Sequence, residues 1–132
     1  MTAAGVRGFK CFLCPSGVEE FQQIVYEDLQ KVLPLVKEHD AFLMFHAELK
    51  HGAACDSDHR NYLNHLAEAD LNAEPEAVKL IIELCEKYQV RCHIVHLSNG
   101  DSITLVREAR ARGLPLTAET CPHYLTIGMR CY

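Results

Sequence analysis

These 132 residues lack the marks of several protein classes. No run of five or six basic residues occurs, and the net charge is −5, which argues against nucleic acid as the main partner. No apolar stretch approaches the ~20 residues that cross a bilayer, so no membrane partner is expected. Met1 to Gly8 lack the charged start and apolar run of a secretory leader. An intracellular location, cytoplasm or organelle matrix, is therefore expected. Cys11-Phe12-Leu13-Cys14 has no second pair at zinc-ribbon spacing. It also ends a predicted strand, where a thioredoxin-type pair opens a helix. With Cys55, Cys85, Cys92, Cys121 and Cys131 it makes an odd, scattered set of seven cysteines. These read as free thiols in a reducing compartment, several of them packed as small hydrophobes. No internal repeat or low-complexity tract stands out.

What is present suits a globular domain. Apolar residues make up 48% and charged residues 23%, enough to build a core at this length. Arg7 to Leu13 reads as a buried strand stopped by Pro15, Ser16 and Gly17. Tyr26 to His39 has Leu29, Val32, Leu33 and Val36 at helical spacing, with Pro34 expected to kink the helix or mark its true start. Ala41 to Phe45 is apolar on both faces, as in a parallel strand covered by helices. Leu49 to Ala73 is polar and irregular, with a short helix possible near Asn61 to Ala69. Glu74 to Tyr88 is a helix whose buried stripe is Val78, Ile81, Ile82 and Cys85. Arg91 to His96 is the third strand. The next helix is capped by Asn99 or Asp101 and closed by Gly113. Leu116 to Thr120 is the fourth strand. Alternating strands and helices imply parallel βα units, either an open sheet or half of an eight-stranded barrel, which takes about 250 residues.

Strand ends carry the chemistry in such a barrel. Alternation puts Gly8, Lys10 and Phe12 on one face of the first strand, and Phe42, Met44, His46 and Glu48 on one face of the second. On the third it groups Cys92, Ile94 and His96 and turns His93 the other way. An inward lysine is costly when charged. It can be neutral, as in Schiff-base chemistry, or it can react with carbon dioxide to give an anionic carbamate that binds metal through oxygen. Two imidazoles beside a carbamate suit Zn²⁺. Glu48 is placed to orient His46 from behind. Each residue taken singly reads as core or surface. Three in order on consecutive strands weigh toward a site. His59 with Asp56 and Asp58 reads as a solvated loop, His51, His65 and His39 carry no role, and His123 is structural or near the site mouth.

Gly5-Val6-Arg7-Gly8-Phe9-Lys10-Cys11-Phe12-Leu13, Phe45-His46-Ala47-Glu48, His93-Ile94-Val95-His96-Leu97-Ser98 and Glu119-Thr120-Cys121-Pro122-His123-Tyr124-Leu125 closely resemble the allantoinase family. That family belongs to the cyclic amidohydrolases, with dihydroorotase and dihydropyrimidinase. The resemblance covers nearly the whole chain. It implies an α/β fold, a partial (β/α)8 barrel of the metal-dependent hydrolase type with residues 1–132 as one partial domain spanning barrel strands four to seven. It implies that Lys10 is carboxylated and bridges two zinc ions, and that His46 and His96 bind the more exposed ion. The implied reaction is attack of a bridging hydroxide on the cyclic amide of allantoin, giving allantoate in purine and ureide catabolism. The partner implied is this small-molecule substrate, with homo-oligomers in the intact family.

The departures are equally specific. The His-x-His pair of the family's first strand and the aspartate of its eighth are not matched, so at most one metal site keeps its ligands. The Arg-Pro step expected after Tyr62-Leu63 is absent. Little or no turnover is expected from this chain alone. The alternatives are a dihydropyrimidinase-like substrate, a non-catalytic truncated product that folds poorly or joins full-length subunits, and a small open-sheet protein whose lysine and histidines are incidental.

Overall fold

The computed structural model describes residues 1–49, 60 and 70–127. The expectations for Cys55, Asp56, Asp58, His51, His59, His65, Cys131 and a helix near Asn61 to Ala69 lie outside the described residues. Four strands form one parallel sheet: β1 (Gly8–Phe12), β2 (Phe42–His46), β3 (Arg91–Ile94) and β4 (Leu116–Ala118), paired in chain order. Among the described residues three α-helices connect them: α1 (Tyr26–Glu38), α2 (Ala73–Tyr88) and α3 (Gly100–Ala111). The helices pack on one face of this four-stranded parallel βα sheet.

The helix-facing side of the sheet holds the core. Leu43 and Phe45 from β2, with Cys92 and Ile94 from β3, are buried against Leu29, Leu33 and Val36 of α1 and Val78, Ile81 and Cys85 of α2. The predicted stripes therefore hold. Pro34 neither starts nor stops α1, which runs unbroken from Tyr26 to Glu38. Its ring costs one backbone hydrogen bond, and the buried Leu33 and Val36 on either side hold the helix together.

Two helix ends aim the chain into the following strand by the same device. Leu114 N donates to Ala109 O at 3.2 Å and Gly113 N to Arg110 O at 2.9 Å, with Gly113 at φ 82°. This is a Schellman ending, and glycine adopts its left-handed position without a Cβ penalty. After α1, Ala41 N donates to Val36 O at 3.0 Å and Asp40 N to Lys37 O at 3.0 Å. There the left-handed residue is Asp40, at φ 49°. The Arg91 guanidinium holds it, pairing with its carboxylate at 2.7 Å and also donating to its carbonyl.

The other face of the sheet is the inner one. Gly8, Lys10 and Phe12 of β1 lie level with Phe42, Met44 and His46 of β2. A side chain at Gly8 would collide with the Phe42 ring, whose atoms lie 2.7–2.9 Å from where a Cβ would sit. On β3 the expected parity is reversed. Cys92 and Ile94 face the helices, and His93, level with Met44, faces inward. A cavity of about 680 Å³ opens on this face, lined by Phe42, Met44, His93, Thr117 and Glu119 among others. His93 Nδ1 lies 2.7 Å from Thr117 Oγ1.

Two substitutions with opposite signs test this packing. Phe45 is fully buried in the middle of the core, so Phe45→Ala should cost about 3–5 kcal/mol in urea unfolding. Ser102 is also fully buried, and its hydroxyl has no hydrogen-bond partner among the described residues. Ser102→Ala should leave stability unchanged or raise it by up to ~1 kcal/mol. A loss of more than that would mean the hydroxyl has a partner.

Candidate active site

β1 and β2 deliver their last residues to one level, because Phe12 is the register partner of His46. The two rings lie 5.4 Å apart. β3 ends at Ile94, two residues before His96. Simple alternation from Ile94 would send His96 toward the helices. Instead His96 takes φ 41°, in the left-handed region, and the chain turns over the end of the sheet. That turn brings its ring to His46, with Nε2 3.0 Å from His46 Nδ1 and the rings nearly edge-on. The pairing expected of His46 and His96 is present, but a backbone turn produces it.

Glu48 stands behind His46 as expected, with its Oε2 2.9 Å from His46 Nε2. With a neutral His46 ring, Nε2–H donates to the carboxylate, so Nδ1 is a bare acceptor facing His96. His96 Nε2–H then donates to it. Two imidazole nitrogens bound to one tetrahedral zinc at about 2.05 Å would stand about 3.3 Å apart. The observed 3.0 Å is within a few tenths of an ångström of that spacing. With the His96 proton moved to Nδ1, the two bare nitrogens form a donor set that suits a divalent cation, with a carboxylate on the far side of one ring to orient it.

Cys14 joins the group from the CxxC that spacing had discounted. Its thiol is buried and donates to Glu48 Oε2 at 3.5 Å. Cys14, His46 and Glu48 each offer a ligand atom within 4.8 Å of the others. The sequence signal was the Cys14 position just after β1, but no second cysteine pair drew attention to it. Cys11, by contrast, points into the helix-facing layer. Burial pushes its thiol up to about 12, partly offset by the Lys10 charge.

Lys10 lies on the inner face as expected, but it is exposed and not enclosed. The described residues leave that face open. Its ammonium sits over the Phe12 ring, 4.9 Å from the centroid. It is thus linked to the histidine pair through Phe12. His123 lies on a single 3-10 turn, Pro122–Leu125, with its ring 4.4 Å from Tyr124. Both are exposed.

Sequence comparison gives this geometry a lineage. The chain is 43% identical to the mitochondrial allantoinase of Aquarana catesbeiana over 129 residues, which is 96% of this chain and 27% of that protein. It is 42% identical to the allantoinase of Saccharomyces cerevisiae over 134 residues, 96% of this chain and 29% of that protein. The chain is a relative of the allantoinases. It spans less than a third of the length of these relatives. Among solved structures it superposes on a D-hydantoinase from Bacillus sp. AR9 with TM-score 0.77 at 28% identity, over 96% of this chain and 28% of that one. An L-hydantoinase from Arthrobacter aurescens gives TM-score 0.85 at 22% identity over 98% of this chain and 30% of that one, a likeness of fold. No family model matches. No described helix is long and apolar enough to cross a membrane.

Burial holds His96 below the usual histidine value of 6.5, helped by the neighbouring His46 and Lys10 charges and opposed by Glu74. His96 is therefore neutral near pH 7, as a ligand must be. The unfolded chain takes up this proton at higher pH than the folded one. Stability from this group is thus intact above pH 6.5 and falls as pH drops below it toward the lowered folded value. Nuclear magnetic resonance titration should find His96 titrating below the ordinary value, and Lys10→Met should move it upward. An unmoved value would remove Lys10 from the neighbourhood of the site.

Proposed function

We propose that these residues supply part of the active site of a metal-dependent cyclic amidohydrolase whose substrate is allantoin and whose product is allantoate. The observation that carries the proposal is the His46–His96 pair, 3.0 Å apart, with Glu48 behind it. Their neutral ring nitrogens would hold one divalent ion, zinc by donor type. A bound divalent ion supplies Lewis-acid polarisation of a ring carbonyl and lowers the pKa of water. Glu48 fixes the tautomer and ring plane of His46. His96 stays neutral without having to release a proton near pH 7. Lys10 would complete the set after its amine adds to carbon dioxide. The ammonium gives up one proton to solvent, and addition of the free amine to carbon dioxide forms an N–C bond and releases a second, so that a cation is replaced by an oxygen-bearing anion. The open inner face gives carbon dioxide access to the amine.

The substrate assignment rests on sequence. Identities to allantoinases run from 43% to 32% across frog, yeast and Arabidopsis thaliana proteins. Those to dihydropyrimidinase and D-hydantoinase structures stay at 28% or below. A dihydropyrimidine-type ring is the second reading, favoured by the fold alone. The whole set belongs to one barrel domain in this proposal, in an intracellular compartment. No His-x-His pair occurs in the 132 residues. By themselves they hold one ion and not a bridged pair, and their own turnover should be negligible.

Allantoin ring opening by the purified chain, with zinc and bicarbonate supplied, tests this directly. The expected outcome is turnover at or below the level of Lys10→Ala. Zinc should still bind, about 100-fold more weakly in His46→Ala. Turnover that disappears in Lys10→Ala would show that the chain, alone or as an oligomer, builds a complete site. Zinc binding unaffected by His46→Ala would remove the metal reading.

A further inference from the structure

His96 reaches His46 only because the chain bends into a left-handed conformation just past β3. A residue with a Cβ is held there against its preference, so something must hold it. The segment after it is anchored at one side chain. Glu74, half-buried in the first turn of α2, accepts Ser98 N and Ser98 Oγ on Oε2, both at 2.8 Å, and Asn99 N on Oε1 at 2.9 Å. One carboxylate thus takes up two consecutive backbone N–H groups and a hydroxyl, beginning two residues after His96. The backbone amides there form a small concave donor site that suits an anion, and the side chain of another element fills it.

The remaining contacts of the segment leave this role to Glu74. Leu97 is tied to the β4 side, its N donating to Glu119 O and its O accepting from Thr120 Oγ1, both at 2.7 Å. Asn99 donates through Nδ2 to Leu71 O at 3.1 Å and caps α3 by accepting from Asp101 N at 2.8 Å. Among these described contacts Glu74 alone gathers successive main-chain donors, and it comes from a different helix than the one the segment opens. We infer that Glu74 is a positioning residue: it fixes the turn that carries His96 and so sets the affinity of the His46–His96 pair for a divalent cation. The inference deepens the metal reading above and rests on it.

The experiment uses the full chain and cobalt(II), whose visible absorption reports nitrogen ligation directly. Glu74→Ala should fold, as judged by circular dichroism, and bind cobalt(II) about 10- to 100-fold more weakly than wild type, the range seen when partners that orient metal ligands are lost. Glu74→Gln keeps one acceptor oxygen and should recover part of that loss. Arg112→Ala breaks the Arg112–Glu86 ion pair at the far end of the same two helices, 3.3 Å in length, and should leave the cobalt(II) spectrum and affinity unchanged. In the metal-free protein, the short His96 HN–Hα distance that positive φ imposes should lengthen in Glu74→Ala, read as a weaker intraresidue nuclear Overhauser effect, and Ser98 and Asn99 amides should exchange about tenfold faster. Cobalt(II) binding by Glu74→Ala equal to wild type would overturn the inference, as would an equal loss in Arg112→Ala. If wild type binds no cobalt(II), the metal reading falls. The His96 intraresidue nuclear Overhauser effect then decides whether Glu74 holds the turn, and an unchanged effect overturns that as well.

Discussion

Leu43 and Phe45 are buried at 2% and 0% exposure, and Met44 and His46 between and after them are not. This alternation along β2 is the constraint on which the rest depends. A strand side chain has only two directions. Committing Leu43 and Phe45 to the helix layer commits His46 to the opposite face, at the carboxyl end of the strand. A one-residue slip would bury the imidazole among Leu29, Leu33 and Ile81 and expose the phenylalanine. The apolar area at stake makes that slip prohibitive, since each large side chain contributes about 1.5–3 kcal/mol on burial. The core therefore specifies the face and level of the histidine without touching its ring nitrogens.

Parallel pairing then spreads that level sideways. Because β1 and β2 run in register, Phe12 arrives beside His46 and Lys10 beside Met44. β3 is shorter at its carboxyl end, and its last ordered pair is Phe45 with Ile94. The site is completed by chain that has left the sheet. Strand ends and the turns just beyond them are where backbone donors are free to meet side chains from neighbouring elements, and this is where Glu48, Glu74 and Thr120 act. Rigid strands thus supply position, and short hydrogen-bonded turns supply direction.

Much of the fold was legible because the relevant signals are local. The stripe Val78, Ile81, Ile82 and Cys85 needs only helical spacing, and the Gly113 ending needs only a residue tolerant of positive φ. Pro34 was less legible. Its steric rule is local, but the burial that overrides it is not. Alternation from His96 puts His93 on the wrong face, because the turn at His96 breaks the period of the strand. Cys14 was passed over because a single pair of cysteines says nothing about the carboxylate it meets 34 residues later.

By itself the sequence determined the order of strands and helices and the apolar faces that bury them, and it singled out Lys10, His46 and His96 as the residues proposed to hold a metal. Periodicity and local sterics suffice for the first two, and matching motifs for the third. Only the tertiary structure decided how those residues meet. It put His96 against His46 by a left-handed turn, gave Glu74 to that turn, and left Lys10 on an open face. Those outcomes depend on hydrogen bonds between segments 24 to 50 residues apart, and no local rule of spacing or propensity reaches that far.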